Sequence, residues 1–192
     1  FSRYNKGSKN INMKFFFFTL IMLNIFSSAE AKYDKLAYEF MFKGINEETI
    51  NLKEYKDSVI LIVNVASRCG FTNQYKDLQT LWETYRKDNL VIIGVPTNNF
   101  NQEPGSNSEI KTFCETNFGI DFLMTEKTNV LGKDAHPFYK WAKLNHGSNA
   151  IPKWNFHKIL INKEGKVADT FASITRPSSS RFIKAIEKQI KN

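Results

Sequence analysis

Two cysteines carry the most reactive chemistry that this sequence offers. Cys69 lies in Ala66-Ser67-Arg68-Cys69-Gly70, four residues beyond an apolar run and five before an amphipathic one. A thiol in that place meets the positive end of a helix, and exposed backbone N–H groups, the helix dipole and the adjacent Arg68 all favour thiolate, the nucleophilic form. Gly70 admits close approach to the backbone. The competing reading is a buried structural cysteine, since free Cys is among the most buried residue types. Cys114 stands 45 positions further on, beside Phe113 and one turn after Ile110, where a core-facing thiol is the plain reading. That separation matches no zinc-ligand pattern, and Thr72 occupies the place where a Cys-x-x-Cys exchanger needs its second sulfur. His136, His146 and His157 have no mutual metal spacing, so loop, cap or core roles are expected of them and neither metal nor cofactor is implied.

The elements that must hold these thiols are readable from periodicity. Val59 to Val65 reads VILIVNV, a β-branched run typical of a central strand covered on both faces. Tyr75, Leu78, Leu81, Trp82 and Tyr85 then recur at helical spacing opposite Lys76, Asp77, Glu83 and Arg86. After Asp88-Asn89, Leu90 to Val95 gives a second apolar strand, completing a right-handed βαβ unit. Ser106 and Glu109 form a capping box ahead of a helix over about 107–117, with Gly119 beyond it. Pro137 opens another helix that turns Phe138 and Trp141 inward and ends near Gly147. Lys158 to Ile161 and Val167 to Phe171 read as a hairpin, and Phe182, Ile183, Ile186 and Ile190 stripe a C-terminal helix. The order βαβ, helices, ββα predicts an α/β thioredoxin-like sandwich, a central mixed sheet flanked by helices.

Length and charge narrow the function. The 192 residues are 42% apolar and 14% aromatic, enough for one well-buried core and too much for intrinsic disorder. Residues 1–31 run from Arg3, Lys6, Lys9 and Lys14 through the apolar stretch Phe15 to Phe26 and on to Ala29-Glu30-Ala31, the order of a cleavable secretory leader. A stretch of twelve residues reaches about 18 Å, short of a ~30 Å hydrocarbon core, so no membrane span is expected. The leader points to secretory entry or organelle delivery, with a cytosolic form also open. Setting 1–31 aside leaves 23 basic against 18 acidic residues over 32–192, a surplus of +5 against +8 for the whole chain. No run of five like charges or basic-aromatic stripe remains, which excludes a nucleic-acid footprint. No repeat or linker divides 32–192, which reads as one domain.

Three sequence blocks carry a resemblance. Asn64-Val65-Ala66-Ser67-Arg68-Cys69-Gly70, Asn98-Asn99-Phe100-Asn101-Gln102-Glu103-Pro104-Gly105-Ser106 and Trp154-Asn155-Phe156 resemble, in order, the signature blocks of the glutathione peroxidase family. The likeness runs from about Tyr33 to the C-terminus. A peroxiredoxin pattern, Pro-x-x-x-Thr-x-x-Cys, would instead need Thr and Pro where Ala66 and Ile62 stand.

The resemblance implies that Cys69 is the peroxidatic residue and that Gln102, Trp154 and Asn155 complete a catalytic tetrad. The chemistry fits: a thiolate attacking a peroxide needs N–H donors for itself and the departing oxygen, and none of these three side chains titrates near neutrality. Taken alone, Trp154 reads equally as a core aromatic and Gln102 and Asn155 as loop residues. Pro104 and Gly105 are expected to aim Gln102, Gly105 through a positive φ. Cys114 matches the resolving cysteine of the non-selenium, two-cysteine branch, which implies a Cys69–Cys114 disulfide and thioredoxin as reductant, the two Cα atoms having to come within about 7 Å; whether the helix must unwind for that stays open at this point. Thr97 and Asn99 depart from the Cys and Gln often found there, with changed loop packing expected. The short stretch from Asn145 to Lys153 lacks the insertion that supports oligomers in selenium-containing relatives, so a monomer is expected. Hydrogen peroxide and organic or lipid hydroperoxides are the implied substrates. A glutathione-dependent peroxidase, a redox relay passing its disulfide to a client, and an inert thioredoxin-like binding module remain the alternatives.

Overall fold

A computed structural model describes Phe1, Ser2 and residues 33–192, and the leader-like segment lies outside the described residues. Ala31–Asn192 forms one compact unit. Its centre is a five-stranded sheet in the order β5-β4-β3-β6-β7, from β3 (Val59–Val65), β4 (Leu90–Pro96), β5 (Leu123–Met124), β6 (Lys158–Ile161) and β7 (Val167–Phe171). β3 pairs parallel with β4 and antiparallel with β6, and β7 pairs antiparallel with β6, so the sheet is mixed. Every residue of β3 is buried, as expected of a central strand with both faces covered.

Side-chain alternation along β3 sorts the core into two layers. Val59, Leu61, Val63 and Val65 face Tyr75 and Leu78 of α1 (Gln74–Tyr85), Ile110 and Cys114 of α2 (Asn107–Phe118), and Phe182 and Ile186 of α4 (Ser180–Lys191). Ile60 and Ile62 face Phe138 and Trp141 of α3 (Pro137–His146), together with Phe42 and Ile50 of a separate hairpin, β1 (Met41–Lys43) and β2 (Thr49–Asn51). That hairpin and β5 have strands of three and two residues, too short to show a period.

Helix boundaries follow their local chemistry. α2 begins with the expected reciprocal box between Ser106 and Glu109, and ends at Gly119 in the left-handed conformation (φ 61°). His136 caps α3, its Nδ1 accepting the Phe138 N–H, while its ring stacks on Phe42 at 4.1 Å. Asn99, one of the two departures from the family pattern, accepts the Val130 and Leu131 N–H groups on Oδ1 and fixes the loop that leads to α3.

Candidate active site

Cys69 sits in the turn between β3 and α1, and the residue is 8% exposed. The turn is organised by Thr72, whose Oγ1 accepts the Cys69 N–H at 3.0 Å and lies in donor range of the Ala66 and Cys69 carbonyls. A hydroxyl thus does structural work where an exchanger would carry sulfur. The Phe71 N–H donates to the Cys69 Sγ at 3.4 Å, so one backbone donor of the turn is aimed at the sulfur.

The second block docks on this turn. The Arg68 N–H donates to the Gln102 carbonyl at 3.1 Å, and Ser67 donates through its N–H and hydroxyl to Glu103 Oε2 at 2.7 and 2.9 Å. Glu103 is buried, which pushes its carboxyl upward, while the two Ser67 bonds and the Lys127 and Arg68 charges pull it back. Asn98 closes the loop by accepting the Glu103 N–H at 3.0 Å. The residue that takes a left-handed backbone is Asn101 (φ 56°), immediately before Gln102, and Gly105 is not among the positive-φ glycines. The expectation for Gly105 is therefore corrected. Asn tolerates that region better than most side chains, so the loop turns next to Gln102 and not three residues beyond it.

The third block arrives from the far end of the chain. Asn155 is fully buried, and its Nδ2 donates to Gln102 Oε1 at 2.9 Å, so two of the sequence-predicted site residues touch directly. Trp154 is 41% exposed and packs on Phe100 with ring centroids 5.3 Å apart. Phe156 holds φ at 63°, an uncommon state for a bulky residue, in a segment that Asn64 bonds at three points. Asn64 Nδ2 donates to the Trp154 carbonyl at 3.1 Å, the Asn64 carbonyl accepts the Phe156 N–H at 2.6 Å, and the Asn64 N–H donates to the His157 carbonyl at 3.3 Å. Asn64, Thr72 and Asn98 are positioning residues that motif reading does not single out. Asn64 and Asn98 do fall within the quoted sequence blocks, and Asn64 also stands out as the one polar residue of an otherwise apolar strand.

Cys114 is 1% exposed on α2, in the same apolar cluster as Cys69 and Tyr75, and both cysteines are free thiols. Burial pushes its thiol up to about 11; the Tyr75 phenol opposes that rise, and the Glu103 and Glu115 carboxylates add to it. The Tyr75 hydroxyl is itself buried with no partner of good hydrogen-bond geometry, and interacts with this thiol. Beside the turn, Phe71 and Ile174 are shared by two open cavities of about 590 and 530 Å³, the second also lined by Trp154, Lys153 and Arg181. Among the described residues no group of three or more His, Cys, Asp or Glu is placed to hold a metal, and no helix is long and apolar enough to cross a membrane.

Comparison with known proteins agrees with this geometry. The family model described as glutathione peroxidase matches residues 37–143, which takes in Cys69, Gln102 and Cys114 and stops short of Trp154. The chain is 46% identical over 143 residues to a glutathione peroxidase homolog, BsaA, of Halalkalibacterium halodurans, covering 73% of this chain and 91% of that protein. It is 45% identical over 143 residues to the glutathione peroxidase-like peroxiredoxin HYR1 of Saccharomyces cerevisiae, covering 71% and 87%. The crystal structure of Trgpx in apo form superposes with a TM-score of 0.66 at 34% identity, over 83% of this chain and 97% of that one. A matched family model over more than half the chain and close relatives over nearly their full length lead to one conclusion: the chain belongs to the glutathione peroxidase family, and is a peroxidase built on a thioredoxin fold.

Proposed function

We propose that the chain reduces hydrogen peroxide and organic or lipid hydroperoxides through Cys69, with Gln102, Trp154 and Asn155 as the surrounding donors. The observation that carries this reading is the Asn155 to Gln102 hydrogen bond, which draws together two residues 53 positions apart on segments packed against the Cys69 turn. By occupying Gln102 Oε1, it leaves the Gln102 amide hydrogens for an incoming oxygen or the sulfur anion. In the first step the Cys69 thiolate attacks the distal peroxide oxygen, the O–O bond breaks, and the departing RO⁻ takes up a proton. The products are an alcohol, or water, and Cys69 sulfenic acid.

In the second step Cys114 attacks that sulfenic sulfur, expelling water and closing a Cys69–Cys114 disulfide, which thioredoxin then reduces to two thiols at the expense of its own dithiol. With its thiol pushed up to about 11, Cys114 inside α2 is protonated at neutral pH and weakly nucleophilic. Resolution therefore follows a loosening of α2 that hydrates the thiol and brings the two Cα atoms within about 7 Å.

The test is peroxide consumption with thioredoxin and with glutathione side by side, in the wild type, Cys69→Ser and Cys114→Ser. Turnover with thioredoxin that vanishes in both variants is expected, with one stoichiometric oxidation surviving in Cys114→Ser. Full thioredoxin turnover in Cys114→Ser refutes the resolving role, and equal turnover with glutathione in that variant reassigns the reductant.

A further inference from the structure

Lys158 opens β6 in full burial, and among the described residues no carboxylate bonds to it. Its Nζ donates to Gln74 Oε1 at 2.6 Å, to the Thr175 carbonyl at 2.6 Å and to the Ser173 carbonyl at 3.5 Å, while Gln74 Nε2 donates to that same Ser173 carbonyl at 2.7 Å. Gln74 is the first residue of α1, and its backbone N–H donates to the Phe71 carbonyl at 2.8 Å. Phe71 in turn gives its N–H to the Cys69 sulfur. A continuous line of bonded groups thus runs from the ammonium to the thiol. On the other side, Ser173 and Thr175 flank Ile174, 77% exposed, which with Phe71 walls both cavities beside the turn.

We propose that Lys158 is a positioning residue for the peroxidase reaction: through Gln74 it fixes the Phe71 N–H against the Cys69 sulfur, and through two carbonyls it fixes the Ile174 rim. The inference rests on Cys69 being the peroxidatic residue. A cation beside the first residue of α1 faces the positive end of the helix dipole, a placement that costs stability. Burial adds to that cost and pushes the ammonium down to about 7, with Asp77 opposing. A strut required only for folding has cheaper solutions. A donor that holds the attacking sulfur in place needs the group it hangs from to be held, and three acceptors converging on one ammonium do that.

The test is single-turnover oxidation of the reduced full chain by hydrogen peroxide, followed across pH. Lys158→Met and Gln74→Leu are each expected to slow oxidation about tenfold at neutral pH and to move the rise of the pH–rate profile upward, because the Phe71 N–H is displaced from the sulfur. The double variant should fall no further than the slower single one, since both cut the same line. A Lys158→Met protein with wild-type near-UV circular dichroism, rate and profile overturns the proposal, as does a slower variant whose profile has not moved. If Lys158→Met does not fold, Gln74→Leu decides by the same two criteria. A wild-type chain that leaves peroxide unreduced would overturn instead the assignment of Cys69.

Discussion

The two sulfurs of this protein live in unlike surroundings. The Cys69 turn is bound by polar contacts to segments far away in the chain, with Asn64 gripping 154–157, Ser67 and Arg68 gripping 102–103, and Thr72 closing the turn on itself. Cys114 rides on a helix whose side-chain bonds to other segments gather at its two ends. There Asn107 accepts the Lys127 N–H, and just past the helix Asp121 exchanges two bonds with Gln79. Between those ties α2 is held by the packing of Ile110 and Cys114. The contrast suits the two tasks proposed for these thiols. A nucleophile that meets a small oxidant gains from a fixed set of donors, whereas a nucleophile that must travel gains from a mooring that one local event can release.

The contrast can be broken most severely at Cys69. Cys69→Ser should remove peroxide consumption with any reductant, a loss of at least about a thousandfold, read by coupled thioredoxin assay. Next in size, Gln102→Ala and Asn155→Ala should each lower the rate of the first oxidation by roughly a hundredfold and leave the rate of disulfide formation alone, measured by rapid-quench mass spectrometry. Equal slowing of both steps would mean that the two regions are one.

Acid should loosen the Cys69 side first. His157, adjoining Asn155 and Phe156, is buried with its Nε2 unpartnered, and burial together with the Lys158 and Lys153 charges holds its imidazole down to about 4. The folded state therefore binds fewer protons than the unfolded one between about 4 and 6.5. The stability that follows is present above 6.5 and is lost as pH falls through that window, by roughly 3 kcal/mol at most. Thermal melts of His157→Gln should be flatter over the same range than those of the wild type. The smallest effect sharpens the other side. Ser106→Ala removes the α2 cap at a cost of about 1 kcal/mol, which should raise the alkylation rate of Cys114 roughly fivefold with little change at Cys69.

Much of this was legible in the sequence, for a physical reason. α1, α2 and α4 each bury one face and so print a helical period on the chain, while β3 and β6, buried along their whole length, stand out as largely apolar runs. The β1–β2 hairpin and β5 do not, because two or three residues hold no period, and β5 pairs with β4, which lies far back in the chain. Within the site, residue types announced the sulfur chemistry, but the supports were hidden. Thr72 closes its own turn on local backbone groups, Asn98 and Asn64 each reach one backbone group through the side chain, and a Thr in a turn or an Asn in a loop is compositionally ordinary. Gly105 drew attention as the conformationally free residue of its block, while the left-handed turn fell on Asn101, whose side chain tolerates the same region.

Thr72 also measures how near this active site stands to another trade. Its hydroxyl lies three residues after the nucleophile and already faces that residue's backbone, so Thr72→Cys would put a second thiol within one turn of the first. An oxidised Cys69 would then be captured by its neighbour before α2 had time to open, and Cys114 would become a bystander. On the proposed scheme, a hydroxyl instead of a thiol at this one position is what leaves the resolving step to Cys114.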